Sequence, residues 1–113
     1  MLKTLKLVEE SKIVKEYEIQ DFKQGRKFYY LRIKIILVEE SELYIKEYVS
    51  ETEYLYSYHW QDRDGTLKIR WDNAPHHYKD IKTFPHHKHT PYLEESTEIG
   101  LEEVLKIIEG RIK

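Results

Sequence analysis

The feature that most constrains this chain is a period-two alternation of apolar and polar residues that restarts, segment after segment, from Ile13 to Asp72. A strand turns successive side chains to opposite faces, so each such run can bury one face only. In residues 13–22, Ile13, Tyr17 and Ile19 share a face. In 27–38 the shared face is Tyr29, Leu31, Ile33, Ile35 and Leu37, with Arg32 and Lys34 opposite. In 43–52, Leu43, Ile45 and Val49 align, and Glu47 falls in the same register. In 53–61 the row is Tyr54, Tyr56, Tyr58 and Trp60, and in 66–72 it is Leu67, Ile69 and Trp71. Between the runs stand Gln24-Gly25-Arg26, a polar Glu39-Glu40-Ser41-Glu42 and Asp62-Arg63-Asp64-Gly65, all residues that favour tight turns. Strands joined by such short turns predict an antiparallel meander, and a short extended piece at 92–95 adds a sixth strand.

The period then changes. Leu101, Val104, Leu105, Ile108 and Ile112 follow helical spacing, with Glu102 and Glu103 in the first turn and Arg111 and Lys113 in the last. That matches the helix dipole and predicts a C-terminal amphipathic helix. Residues 1–12 read equally well as a short helix or a strand. The expected fold is α+β: an antiparallel meander of five to six strands with the C-terminal helix packed on one face, one domain over residues 1–113.

Composition narrows the function classes. Hydrophobic residues make up 40% of the chain, enough for a core and too many for intrinsic disorder. No apolar run approaches the roughly 18 residues of a membrane helix, and the start lacks a signal-like segment, so a cytoplasmic protein is expected. With no cysteine, disulfides, thiolate metal ligands and a cysteine nucleophile are excluded. High Lys and Glu content with only four Asn plus Gln and one Met is the usage of a thermophile.

Histidine is the anomaly. All six lie between His59 and His89, in a net-basic stretch of a chain whose formal charge is −2. Residues 59–89 hold six Lys and Arg against four Asp, and the remainder is acidic. A basic, histidine-rich segment suits an anionic substrate such as RNA. From Asn73 to Thr90 periodicity stops, and Pro75, Pro85 and Pro91 punctuate what reads as a long loop, often a place for function. His76, His77, His86, His87 and His89 fall there. Imidazoles titrate near neutrality, so a pair can serve as base and acid in phosphodiester cleavage, with Arg70, Lys79, Lys82 or Lys88 stabilising charge. The same residues could ligate a divalent metal such as zinc, though their spacing matches no zinc signature and no cofactor is expected. The bland alternative is that they cap turns around the prolines.

Other residues invite a role. Glu47, on an apolar face, is a candidate base if buried, or a partner for Arg32 or Arg70. Arg70 and Asp72 share a face, so Asp72 could orient Arg70 or a histidine. The tyrosine row reads mainly as core packing, with Tyr58 and the adjacent His59 as candidates for substrate contact.

These residues also carry a family likeness. Tyr56-Ser-Tyr-His-Trp-Gln-Asp62, Arg70-Trp-Asp-Asn-Ala-Pro-His-His77 and Thr83-Phe-Pro-His-His-Lys-His89, with the Glu47-Tyr-Val49 strand end and the Leu101-Glu-Glu-Val-Leu105 helix start, resemble the TumE-type toxins of type II toxin–antitoxin modules. The resemblance runs from about Ile13 to the C-terminus. It implies a toxin neutralised by a cognate antitoxin, and, by analogy with other toxins of this size, a ribonuclease. Carried onto this chain, the matching positions are Glu47, Tyr58, His59, Arg70, Asp72, Asn73, His76, His77, His86, His87 and His89.

Two functions follow as expectations. The first is a ribonuclease toxin in which His76, His77, His86, His87, His89 and Glu47 are catalytic. In it Arg70, Tyr58, His59 and Lys88 bind RNA, and Asp72 and Asn73 orient them. The second is a non-catalytic module whose histidine loop holds a metal ion or docks a partner protein. A homodimer could supply a deeper cleft than 113 residues can build.

Overall fold

The computed structural model describes residues 2–73, 87–89, 93–95 and 99–112. Helix α1 (Leu2–Glu10) leads into strands β1 (Val14–Gln24), β2 (Phe28–Leu37), β3 (Glu42–Ser50), β4 (Tyr54–Gln61) and β5 (Leu67–Asp72), then short strands β6 (His87–His89) and β7 (Leu93–Glu95), and helix α2 (Leu101–Ile112). All strands form one sheet in chain order, each antiparallel to its neighbour. The meander and its C-terminal helix are as the alternation requires.

One face of the sheet is the core. Leu31, Ile33, Ile35 and Leu37 of β2, Leu43 and Ile45 of β3, Tyr56, Tyr58 and Trp60 of β4, and Ile69 and Trp71 of β5 are buried on it. Val8 of α1 and Leu101, Val104, Leu105 and Ile108 of α2 join the same cluster. Each fully buried side chain of this size stabilises by roughly 1.5–3 kcal/mol. The turns follow from their residues. Gly65 takes φ +92°, a region that favours glycine, and its N–H donates to the Asp62 carbonyl at 2.9 Å. The buried Ser41 accepts the indole N–H of Trp60 at 2.9 Å, which satisfies a donor inside the core.

One segment resolves an open alternative of the sequence reading, and one departs from it. Residues 2–10 are a helix. Thr4 and Val8, four apart, face the core, while Leu5 and Leu7, two apart, imitate a strand period. The supposed loop from Asn73 to Thr90 is not all loop, because His87–His89 forms β6 and pairs with β5, so the sheet has seven strands. Backbone pairing at a strand edge needs no apolar alternation, so a His-Lys-His triplet gave no signal. His76, His77, His86 and the three prolines lie outside the described residues. Among the described residues no helix is long and apolar enough to cross a membrane.

Candidate functional site

Among the described residues no helix covers the other face of the sheet, and strand register decides what meets on it. β4 and β5 pair with His59 opposite Arg70 and Ser57 opposite Asp72. Asp72 and Arg70, two apart on β5, share a side, and the Arg70 Nε–H donates to Asp72 Oδ2 at 2.9 Å. The Asp72 carboxylate is nearly sealed, at 5% exposure, whereas the Arg70 side chain keeps 40%. A buried acceptor thus holds a cation that still reaches solvent.

Arg70 also fixes the state of His59. Its Nη1 lies 3.2 Å from His59 Nδ1. A guanidinium only donates, so Nδ1 accepts and the ring proton resides on Nε2. That Nε2–H donates to Gln61 Oε1 at 2.9 Å, and the Gln61 amide donates to Glu42 Oε1 at 3.0 Å. The resulting chain, Asp72–Arg70–His59–Gln61–Glu42, crosses three strands. Partial burial pushes the His59 pKa below its ordinary value; the bond to Gln61 works against this and the Arg70 charge reinforces it. His59 is therefore neutral near pH 7, the form that can accept a proton.

Further cations stand on the same face. Arg32 of β2 lies opposite Lys46 of β3, which lies opposite Ser57. Two shallow cavities adjoin this lane. One of about 240 Å³ is lined by Arg32, Tyr44, Lys46, Ser57, His59 and Arg70 among others. One of about 330 Å³ is lined chiefly by Tyr30, Lys46, Tyr48, Leu55, Ser57, Arg70 and Asp72. The β1 side is acidic, with Asp21 opposite Arg32 and Glu18 opposite Lys34. β6 extends the face on its far side: in register, His87 lies opposite Asp72 and His89 opposite Arg70, while Lys88 lies opposite the core residue Trp71. Among the described residues no group of three or more His, Asp or Glu is arranged to hold a metal ion.

Glu47, Tyr58 and Asn73 are elsewhere. Glu47 is 4% exposed on the helix-covered face, on the far side of the sheet from His59 and Arg70. Thr4 Oγ1 donates to its Oε1 at 2.7 Å and the Tyr58 hydroxyl to its Oε2 at 2.6 Å. Tyr54 completes the network through the Tyr58 hydroxyl at 2.9 Å. Burial, reinforced by the Glu47 charge, raises the Tyr58 and Tyr29 phenols, which stay protonated donors. The carboxylate read as a candidate base or as a partner for Arg32 or Arg70 is thus held by hydroxyls, away from both arginines, and fully buried Tyr58 serves Glu47 rather than presenting its ring at the surface. A cavity of about 410 Å³ adjoins this network between α1, the start of α2 and the sheet. Asn73 clamps strand ends: its Oδ1 accepts from the Tyr56 backbone at 2.9 Å, and its Nδ2 donates to the Tyr54 carbonyl at 2.6 Å.

The sequence reading put Arg70 and Asp72 on one face but did not join His59 to them, and it overlooked Lys46, Gln61, Tyr30 and Tyr48. Their signal was available, since each falls on the polar phase of its strand. No curated protein and no solved structure matches the chain. A family model does, that of the toxin TumE, over residues 4–112. With nearly its whole length matched, the chain belongs to the TumE toxin family.

Proposed function

We propose that this toxin acts by cleaving RNA on the open face of its sheet. Family membership makes the chain a toxin of a toxin–antitoxin system, with an antitoxin as its partner. The observation that carries the further step is the Arg70–His59 contact: a permanent cation, still exposed, held against a neutral imidazole. A phosphodiester anion that draws Arg70 towards itself frees His59 Nδ1 to take a proton. The Lys46 and Arg32 charges on the same face add to the attraction.

The chemistry that fits is intramolecular transesterification. His59 removes the proton of a ribose 2′-hydroxyl. The 2′-oxygen bonds to phosphorus and the bond from phosphorus to the 5′-oxygen breaks. An imidazolium, supplied from the His87–His89 strand or the preceding His76, His77 and His86, protonates the leaving oxygen. Arg70 meets the charge that builds on the phosphoryl oxygens. Asp72 positions Arg70, and Arg70 positions His59.

The test is expression without the antitoxin, followed through growth and cellular RNA. Wild type arrests growth and cuts RNA. His59→Ala, His77→Ala and His87→Ala each slow cleavage by about 10²–10⁴-fold, the usual worth of a positioned acid or base. Variants that all arrest growth and cut RNA at the wild-type rate would overturn the reading.

A further inference from the structure

Next to the Arg70–His59 pair lies an aromatic shelf that phosphodiester chemistry does not require. Tyr30, Tyr48 and Leu55 stand opposite one another across β2, β3 and β4. The row of Lys46, Ser57 and Asp72 begins two residues along, about 7 Å away at the rise of a strand. The cavity of about 330 Å³ lies between these rows. Phe28, itself 40% exposed, stacks on Tyr48 with ring centroids 5.9 Å apart, and Leu55 is 38% exposed. Apolar surface of this kind is left uncovered on an otherwise charged face, with two cations at its rim.

Resting on the reading of the protein as an RNA-cleaving toxin, we infer that this slot takes an unpaired nucleobase of the strand whose phosphate Arg70 binds, so that the toxin reads single-stranded RNA. A base offers a flat apolar face to Tyr48 and polar edges to the slot floor. There the Ser57 hydroxyl can donate or accept. The backbone linked to that base carries its charge, which Lys46 and Arg70 complement. A duplex keeps its bases stacked inside and offers this slot nothing.

Fluorescence anisotropy with labelled oligodeoxynucleotides tests this on the intact chain, because a strand without 2′-hydroxyls is bound but not cut. The probes are a single strand, its duplex and an abasic strand of the same length. Wild type prefers the single strand. Tyr48→Ala weakens that binding by about 10- to 100-fold, the worth of one stacked base, and leaves the abasic strand and the duplex within twofold of wild type. Tyr48→Phe keeps the ring and the affinity. Leu55→Glu, at an exposed position, sets an anion in the slot and reproduces the loss without touching the core. If Tyr48→Ala and Leu55→Glu bind the single strand like wild type while Arg70→Ala does not, the slot is refuted and the RNA reading stands. If wild type binds none of the three probes and cuts no RNA, both fall.

Discussion

The two faces of this sheet use neighbouring residues for opposite ends. Tyr58 and His59 are adjacent on β4, and Lys46 and Glu47 on β3, yet each pair divides between the covered and the open face. Under the helices, a carboxylate is surrounded by hydroxyls from α1 and β4 and loses contact with water. On the open side, a carboxylate of similar burial holds a guanidinium that still projects to solvent. Both are hydrogen-bonded charge networks. A buried anion must find donors wherever they are, and hydroxyls satisfy it without adding charge. An anion beside an exposed cation fixes that cation's aim and leaves its charge available to a substrate. One network closes on itself inside the core, and the other leaves a cation facing solvent.

The sharpest way to break this division is to exchange the readouts. His59→Ala slows RNA cleavage by about 10²–10⁴-fold and leaves the unfolding midpoint close to wild type, since its ring lies on the open face. An unfolded His59→Ala protein would show that the open network is structural. The covered side behaves in reverse. Tyr58→Phe leaves Glu47 Oε2 without its donor and costs about 1–3 kcal/mol of stability, while cleavage per folded molecule stays unchanged. Thr4→Val acts on the other oxygen at similar cost. The two together are non-additive because they share one carboxylate, as chemical denaturation of the four proteins would reveal.

A smaller effect comes from pH. The His59 pKa is lowered in the folded protein, so between that value and the ordinary one near 6.5 the unfolded chain binds more protons than the folded one. Its contribution to stability is complete above about pH 6.5 and declines as pH falls towards the folded value. Unfolding free energies at pH 7.5 and 5 therefore differ more in wild type than in His59→Gln; an equal difference would show that His59 titrates normally. The smallest effect expected is that of metal removal. Dialysis against a chelator leaves cleavage unchanged, and an activity lost with the metal and restored by zinc would move the histidines from proton transfer to ligation.

What could be read in advance depended on how local the cause was. β2 was legible because Leu31, Ile33, Ile35 and Leu37 alternate with Arg32 and Lys34, and alternation of this kind has one strand solution. α1 was not, since Thr4 occupies a core-facing position for the sake of Glu47, 43 residues away. A polar residue placed there by a distant partner interrupts the pattern that would have revealed the helix. Glu47 itself was visible as an anomaly among apolar neighbours, but its partners were not. Arg70 and Asp72 were legible as a pair because their spacing of two puts them on one side of any strand. Their link to His59 needed the β4–β5 register, which shifts between Trp60 and Gln61.

Strands β1 to β5, their meander order, the face that β2 to β5 bury and the covering helix follow from the sequence alone, because periodicity and turn chemistry act over a few residues; β1 leaves Tyr17 and Ile19 of its expected inner face exposed. Tertiary contacts alone seal Glu47 among hydroxyls, half-bury His59 and set its Nδ1 against Arg70, and add a His-Lys-His strand beside them. Those outcomes depend on which residues distant strands and helices bring within hydrogen-bond reach, and on how much water the packing leaves there.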